Sequence, residues 1–421
     1  MSSQSPFRLL RERDIALFWG TGVVSDVGTW MQAVVIGALV ARITGRASST
    51  GLVMASAFLP QMIGAPIGGI LADRYDRRRV YVSALLAQAT ATLGLGIAIA
   101  AGVRATAALS AMIMLQGLAG SIGQPSGVSV LYELAGPQHA AGIAALGATS
   151  WNSGCILGPT LGALLELWLG TAAVVIVNGV TFVALAVAIA SIRRSFKVLA
   201  RPRASVLSEL VGGGREFWEH HTARFVFIRL ALFQAFFIGF VGLIAIRAHQ
   251  LGGDTSLNGW MSTFQGLGAV IGATTVSIWV GRFGRVRTYL TSVCIGTAAL
   301  IAYGYTNVIP AAIVTLAVLG ACTSTVFVTL NGALQRDMPN HQRGRFNAII
   351  QASNGSLFTV AALSQGRLAD HIGLARVFAL AALIHFTLVM GPYFLHPLRF
   401  RVLDHPVVPV EGLAVHLPSR P

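Results

Sequence analysis

Asp26 is the residue in this chain best suited to do chemistry. It is the only acid deep inside any of the apolar stretches, and it lies in Ser25-Asp26-Val27-Gly28-Thr29-Trp30-Met31-Gln32. An ionised carboxylate in hydrocarbon costs about 3 kcal/mol on insertion scales, so such groups tend to be functional. A carboxylate whose charged form is penalised by burial can alternate between charged and neutral states and so carry a proton. Trp30 follows one helical turn on, on the same face. The alternative is a structural acid paired to a neighbouring helix. A second group of residues is charged: Asp73, Arg74, Asp76, Arg77, Arg78 and Arg79 crowd a short turn four residues after Gly69. A turn that dense in Arg, directly under an apolar run, is expected to stay in the cytoplasm. A third group does its work by absence of bulk. Gly154, Gly158 and Gly162 recur every four residues and form one smooth helix face for close packing, which Pro159 bends by removing a backbone donor.

Other chemistries find no support. A Walker A loop needs a Gly-rich turn leading to a Lys, and the only Lys, Lys197, has no such loop before it. There is no H-E-x-x-H, no C-x-x-C and no nucleophile elbow. Cys155, Cys294 and Cys322 lie inside apolar runs as small core residues. An enzyme is therefore not expected, nor a cofactor or metal. What remains is movement of a solute driven by a gradient. Gln61, Gln116, Asn152, Gln234, Gln265, Gln351 and Asn354 are polar residues within the runs that could line a path for it, though amides in lipid also serve to join helices. Phe233, Phe236, Phe237 and Phe264 could supply apolar wall. Arg229 could pair with a carboxylate or reach the interface. His385 reads as a buried histidine with its partners satisfied, and Glu133 and Glu166 as span-end acids reached by water.

The elements that must position these residues are membrane helices. The chain has 421 residues, 54% hydrophobic and 11% charged, too apolar for a soluble domain. Apolar runs fall at 15–41, 50–72, 80–102, 107–132, 143–168 and 171–192, then at 225–247, 258–281, 288–306, 309–330, 346–366 and 374–396. Each is long enough, or nearly so, to cross a hydrocarbon core of about 30 Å. Twelve spans put both termini on one side. With that side cytoplasmic, 23 Lys and Arg lie inside and 6 outside, which fits the positive-inside rule. The first run is too long for a signal peptide and is read as a retained span. The net charge of +15 sits in short loops, so it points to the anionic leaflet of a bilayer and not to nucleic acid. Residues 1–195 read as a six-helix bundle, 196–222 as a cytoplasmic linker, 223–398 as a second six-helix bundle and 399–421 as a disordered tail. Within the linker, Glu209 to His221 could form a surface helix with Leu210, Phe217 and Trp218 facing lipid.

The two bundles repeat each other. Adding 208 carries Gly45, Ser48, Gly51 and Gly64 onto Gly253, Ser256, Gly259 and Gly272, and Arg74, Arg77, Arg79 and Tyr81 onto Arg282, Arg285, Arg287 and Tyr289. Adding 202 carries Pro137, His139, Gly142 and Asn152 onto Pro339, His341, Gly344 and Asn354. Parallel six-helix repeats are a transporter architecture with substrate bound between the halves near the midplane. Gly281 stands where Asp73 does, so the two loops share geometry but not charge.

The stretch from Gly69 through Arg79 resembles the helix 2–3 signature of the major facilitator superfamily, G-x-x-x-D-R/K-x-G-R/K-R/K, with Asp76 at the usual second Gly. Gly154-Cys-Ile-Leu-Gly158-Pro159-Thr-Leu-Gly162 is similar to its fifth-helix antiporter motif, G-x-x-x-G-P-x-x-G. The helix-1 pattern around Asp26, the Asp76 variant and Arg343-Gly344-Arg345 resemble the branch of enterobactin exporters and macrolide efflux proteins. Helix 4 departs from the pattern: Gln116-Gly117 is present, but the Arg that relays protons in related drug antiporters is Ile113, and Ser126 and Gly127 replace an Ala-Arg. The resemblance implies a major facilitator fold and a bacterial inner-membrane transporter. It implies export of a small amphipathic drug, antibiotic or siderophore in exchange for protons, by a monomer. Asp26 would then couple to protons. Asp26, Trp30, Gln116, Asn152, Gln234, Gln265, Gln351 and Asn354 would meet substrate. Gly69, Asp73, Arg74, Arg77, Arg78, Gly154, Gly158, Pro159, Gly162, Arg343 and Arg345 would gate, with Asp73 near the positive end of the eleventh helix. Uptake or facilitated diffusion of a polar metabolite is the alternative. A cavity of mostly apolar wall is expected, which favours export.

Overall fold

The computed structural model describes residues 6–192, 217–338 and 340–404. Those residues are almost entirely helical. α1 is Arg13–Thr44, α2 is Ala47–Arg74, α3 is Arg77–Ala100 and α4 is Thr106–Ala135. Ala140–Ser191 is broken at Gly170, where φ is 78°, a left-handed value that suits glycine; α5 (140–169) precedes the break and α6 (171–191) follows it. The second half holds α7 (His221–Gln250), α8 (Thr255–Phe283), α9 (Arg285–Tyr305), α10 (Ile309–Asp337), α11 (Asn340–Ile372) and α12 (Leu374–Leu395). The twelve helices form two pseudo-repeated bundles of six, the expected membrane fold. Several run past the apolar stretches. α11 begins six residues early with the polar turn Asn340-His-Gln-Arg-Gly-Arg.

In lipid the backbone must satisfy its own hydrogen bonds and helices associate by packing, so small residues decide which helices meet. Gly28 lets α1 approach α6 where a Cβ would lie 2.6 Å from Asn178 Oδ1. Gly96 and Gly179 bring α3 onto α6. Gly64 and its repeat mate Gly272 do matching jobs, seating α2 on Ser121 of α4 and α8 on Ala321 of α10. α7 is irregular, with a π turn at Phe233–Phe237 and a 3-10 stretch at Ile238–Leu243. The carbonyl of Phe236 accepts a hydrogen bond from Gln365 Nε2 of α11 at 2.9 Å, the repair that an irregular helix in hydrocarbon needs.

The halves meet on the side away from the described termini, called here the far side. Gly51 and its mate Gly259 again correspond: Gly51 abuts the Ala362 carbonyl of α11, and Gly259 abuts Pro159 and Ala163 of α5. Phe58 packs edge-on to Phe358 at 4.9 Å. Asn258 Nδ2 donates to the Val34 carbonyl at 3.0 Å, and the Thr160 and Thr263 hydroxyls lie 2.6 Å apart.

Two expectations about the polar segments change. Phe217 is buried and packs edge-on to Phe227 at 5.5 Å instead of facing lipid, while Trp218 is exposed; an apolar ring beside the opening of α7 gains more from that core than from the interface. Leu210 and most of the linker lie outside the described residues. The tail does not begin at 399: Pro397–Leu403 forms a 3-10 helix whose Phe400 and Leu403 are fully buried, with Phe400 against Phe225 and Tyr393.

The contact of α5 on α1 is the tightest test of the packing. A Cβ on Gly158 would sit 2.8 Å from the Val27 carbonyl and 2.5 Å from Trp30 Cβ. Gly158→Val is expected to lower stability by about 1–3 kcal/mol through overpacking, read as a lower midpoint of thermal unfolding in detergent. The same substitution at Gly69, around which a Cβ would meet nothing, should leave that midpoint near the wild-type value.

Candidate functional site

A cavity of about 420 Å³ opens among the helices of the first half. All the described residues that line it come from α1 to α6. Asp26 is on its wall. Ser150 of α5 donates its hydroxyl proton to Asp26 Oδ2. Ser150, Gly154, Gly158 and Gly162 share one helix face at four-residue spacing, so the face that brings the two backbones together also presents the serine to the acid. Gly154 lies against the backbone of Asp26 itself, where a Cβ would come within 2.9 Å of its carbonyl.

The wall is richer in amides than expected. Gln32, Gln61, Gln88, Gln116 and Gln124 all line the cavity, with Ser25, Thr29 and Ser121. Phe18, Trp19, Phe58, Tyr81, Trp151 and Phe182 supply the aromatic surface. The wall is mostly apolar, as expected, with the amides set into an aromatic surface, and the aromatics come from the first half. Phe233 and Phe237 are buried in the core of the second half, and Phe264 is part-exposed. Gln32 is the hub of a buried chain. Its Nε2 donates to Gln116 Oε1 at 2.7 Å, and its Oε1 accepts from Asn178 Nδ2 of α6 at 2.7 Å. All three side chains are buried, so each amide fixes the next.

A family model of transmembrane secretion effectors matches residues 2–411. The chain belongs to that family. It is a multi-pass transporter of the major facilitator superfamily, as the helix 2–3 and helix 5 motifs imply. No curated protein matches the sequence. Solved structures share the fold at low identity. A bacterial homologue of the human lysosomal transporter Spinster, inward-facing and unoccupied, superposes with a TM-score of 0.74 at 12% identity, over 94% of this chain and 99% of that one. The nucleoside transporter NupG gives 0.68 at 13% identity, over 90% and 99%. A bacterial homologue of the iron transporter ferroportin, inward-facing, gives 0.67 at 15% identity, over 90% and 98%.

Within this secretion-effector transporter, the residues singled out from the sequence fall into distinct places. Asp26 and Gln116 line the cavity, as does Gln61. Trp30 stands behind the lining, pressed on Gly154 and Gly158, with Trp151 edge-on to it at 5.5 Å and facing the cavity. Asn152, Gln234, Gln265 and Asn354 are part-buried and outside the described lining. The side chains of Arg343, Arg345 and Gln351 lie outside the described residues. Asp73 and Arg74 are exposed. Arg77 forms an ion pair with Glu133 of α4 and donates Nε to the Ala72 carbonyl at 3.2 Å. Arg78 donates to the carbonyls of Ile192 and Ala190 at the end of α6. Both arginines brace their own half. Asp76, where the family has Gly, is the N-cap of α3 and accepts from Arg79 N at 2.8 Å.

Three readings are corrected. Glu166 is not a water-reached span end: its side chain is 8% exposed and is held by Arg42 Nη2 at 2.7 Å and by Thr171. Arg229 pairs with no carboxylate among the described residues; its guanidinium lies between the rings of Phe225 and Phe400 at 4.8 and 4.9 Å, where cation–π attraction replaces an ion pair. His385 is fully buried beside Phe233 and Phe237, and neither ring nitrogen has a hydrogen-bond partner among the described residues. Sequence reasoning missed Ser150, Gln88, Gln124 and Asn178. Only Ser150 carried a usable signal, its place in register with the glycine face.

Cutting the amide chain at its hub leaves two buried amides short of a partner. Gln32→Leu is expected to cost about 1–3 kcal/mol for each group left unsatisfied. It should appear as a lower unfolding midpoint together with weakened substrate binding, since Gln116 loses the donor that orients it. A variant with an unchanged midpoint would place the chain outside the packing.

Proposed function

We propose that this protein exports small amphipathic compounds, such as a drug, an antibiotic or a siderophore, from a bacterial cytoplasm across the inner membrane in exchange for protons, with Asp26 as the proton carrier. The observation that carries the reading is the setting of Asp26: a carboxylate on the wall of a membrane-embedded cavity, hydrogen-bonded by Ser150, at the joint where α1 and α5 touch. When ionised, Asp26 accepts from Ser150. When protonated, it no longer needs that donor and can itself donate. A change of proton therefore changes what holds α1 to α5 beside the glycine face.

The family description, secretion, supports the outward direction. So does the cavity. Aromatic surface with five amides suits compounds that combine ring systems with hydrogen-bonding groups, and about 420 Å³ is within the usual range for a small-molecule site. The arginine bias places the termini and the charged 2–3 loop in the cytoplasm. On that orientation the far side is the outer side, and the closed contacts there make this an inward-loading state. Asp73 is exposed in it, as expected of a residue that would latch onto the start of α11 only when the cytoplasmic side closes.

Asp26→Asn mimics the neutral form. In proteoliposomes with an imposed pH gradient it is expected to keep substrate binding and downhill exchange and to lose concentrative transport; a variant that still accumulates substrate against its gradient would remove Asp26 from the coupling role. Asp73→Asn, reconstituted at wild-type levels, is expected to stop turnover while substrate binding from the cytoplasmic side survives. Turnover at the wild-type rate would sink the latch.

A further inference from the structure

The 208-residue repeat breaks at one place that matters on the far side. α8 starts with its own cap: Asp254 accepts from Ser256 N at 2.9 Å and from Leu257 N at 3.4 Å. The repeat position in the first half is Arg46, at the N-cap of α2, and it makes no side-chain cap. Yet the first N–H groups of α2 are not left bare. Asp370, near the far end of α11 in the opposite half, accepts from Ala47 N at 2.7 Å and from Ser48 N at 3.2 Å. Ser48 and Ser256 are repeat mates; one is capped from across the interface and the other from its own half. Gly366, one turn before Asp370, is pressed on the Ala47 carbonyl and Ser48 Cα, so the two backbones are close enough for the carboxylate to reach.

The pseudo-symmetric corner is held differently. Arg42, at the end of α1, donates to Glu166 of its own half at 2.7 Å and to Thr255 Oγ1, the first residue of α8, at 2.9 Å. Each far-side corner thus has a helix N-terminus of one half engaged by a charged side chain of the other, but only at α2 does the cap itself come from across.

We infer that Asp370 is the far-side gate residue: it caps α2 in trans, and the far side can open only by uncapping that helix. The carboxylate lies at the positive end of α2, where charge and dipole attract, and it is exposed enough for water to take its place when the halves part. Nothing in this depends on the direction of transport, on the substrate or on Asp26.

The test uses the full-length protein in nanodiscs, with Cys155, Cys294 and Cys322 replaced by Ser and spin labels placed through Ala101→Cys and Val308→Cys in the far-side loops of the two halves. Asp370→Ala is expected to raise the ratio of far-open to far-closed distances by about three- to tenfold, the size of one lost cap, while Asp370→Glu stays close to wild type. Adding Arg46→Ser to Asp370→Ala returns a cap to α2 from its own half and should not bring back the closed distances. Unchanged distances in Asp370→Ala overturn the inference. So does restoration of the closed state by Arg46→Ser, because the contact would then be a helix cap that happens to cross the interface. If Asp370→Ala does not fold, Arg46→Ser alone takes its place: it offers Ser48 N a partner within its own half and is expected to widen the far-side distances, and no change would overturn the gate.

Discussion

The close approach of α5 to α1 is the contact on which the rest of the first half depends. Hydrocarbon supplies no hydrophobic drive between helices, so two helices stay together only where their backbones can come near and their polar groups can meet. Gly154, Gly158 and Gly162 remove every side chain from that face over three turns, and the backbone of Asp26 to Met31 fills the space. Because the approach is so close, Ser150 on the same face reaches Asp26, and Trp30 is pinned with Trp151 closing over it. α1 is then held on its other flank by Gly28 against Asn178 and by the Gln32 chain. The cavity is what remains when α1 is fixed on both sides, and its most reactive group lies at a close-packed joint.

The fold was largely legible because its signals are local or periodic. A membrane span is a run of apolar residues, a repeat is a constant offset, and a packing face is a four-residue spacing. Twelve helices, two bundles and the glycine face follow from those alone, while the placement of Asp26 on a cavity wall came with the family resemblance. The site was legible only in part, because its partners are pairwise and far apart in the chain. Gln32 meets Asn178 across 146 residues, and no periodicity at either end announces the pair. Gln234, Gln265 and Asn354 fall outside the described lining for the same reason: an amide in a span announces that it needs a partner, not where the partner is. Arg229 went astray because an arginine can be satisfied by rings as well as by acids, and Phe400, one of those rings, lay in a stretch read as tail.

The two halves share a scaffold and differ where they carry chemistry. Repeat mates Gly64 and Gly272 perform the same packing within each half, and Gly51 and Gly259 the same packing between the halves, so the shared part of the sequence is the part that sets helix approach. The departures are polar. Asp73 faces Gly281 in the repeat, Asp254 faces Arg46, and the described lining of the cavity lies wholly in the first half. The second half answers with a core of buried aromatics around His385 and Arg229, and with Asp404 rather than a local residue at the start of α9, where it accepts from Arg285 N at 2.5 Å.

That division has a mechanical consequence. A transporter that rocks two rigid bundles about a site needs strong contacts inside each bundle and exchangeable ones between them. Inside the first bundle, glycine-to-backbone packing and buried amide chains are costly to break, because each buried group would lose its partner with no water to replace it. Between the bundles, the polar contacts at the far side are a hydroxyl pair, a carbonyl acceptor and helix ends engaged by Asp370 and Arg42, set beside the packing of Gly51, Gly259 and Phe58, and Asp370 and Arg42 are residues that water can reach. Such contacts hold a closed state yet lose little on opening, since water can satisfy the same donors. Of the polar departures, Asp254 against Arg46 therefore falls where motion has to be cheap, and of the repeated glycines, Gly64 and Gly272 fall inside the bundles, where it has to be forbidden.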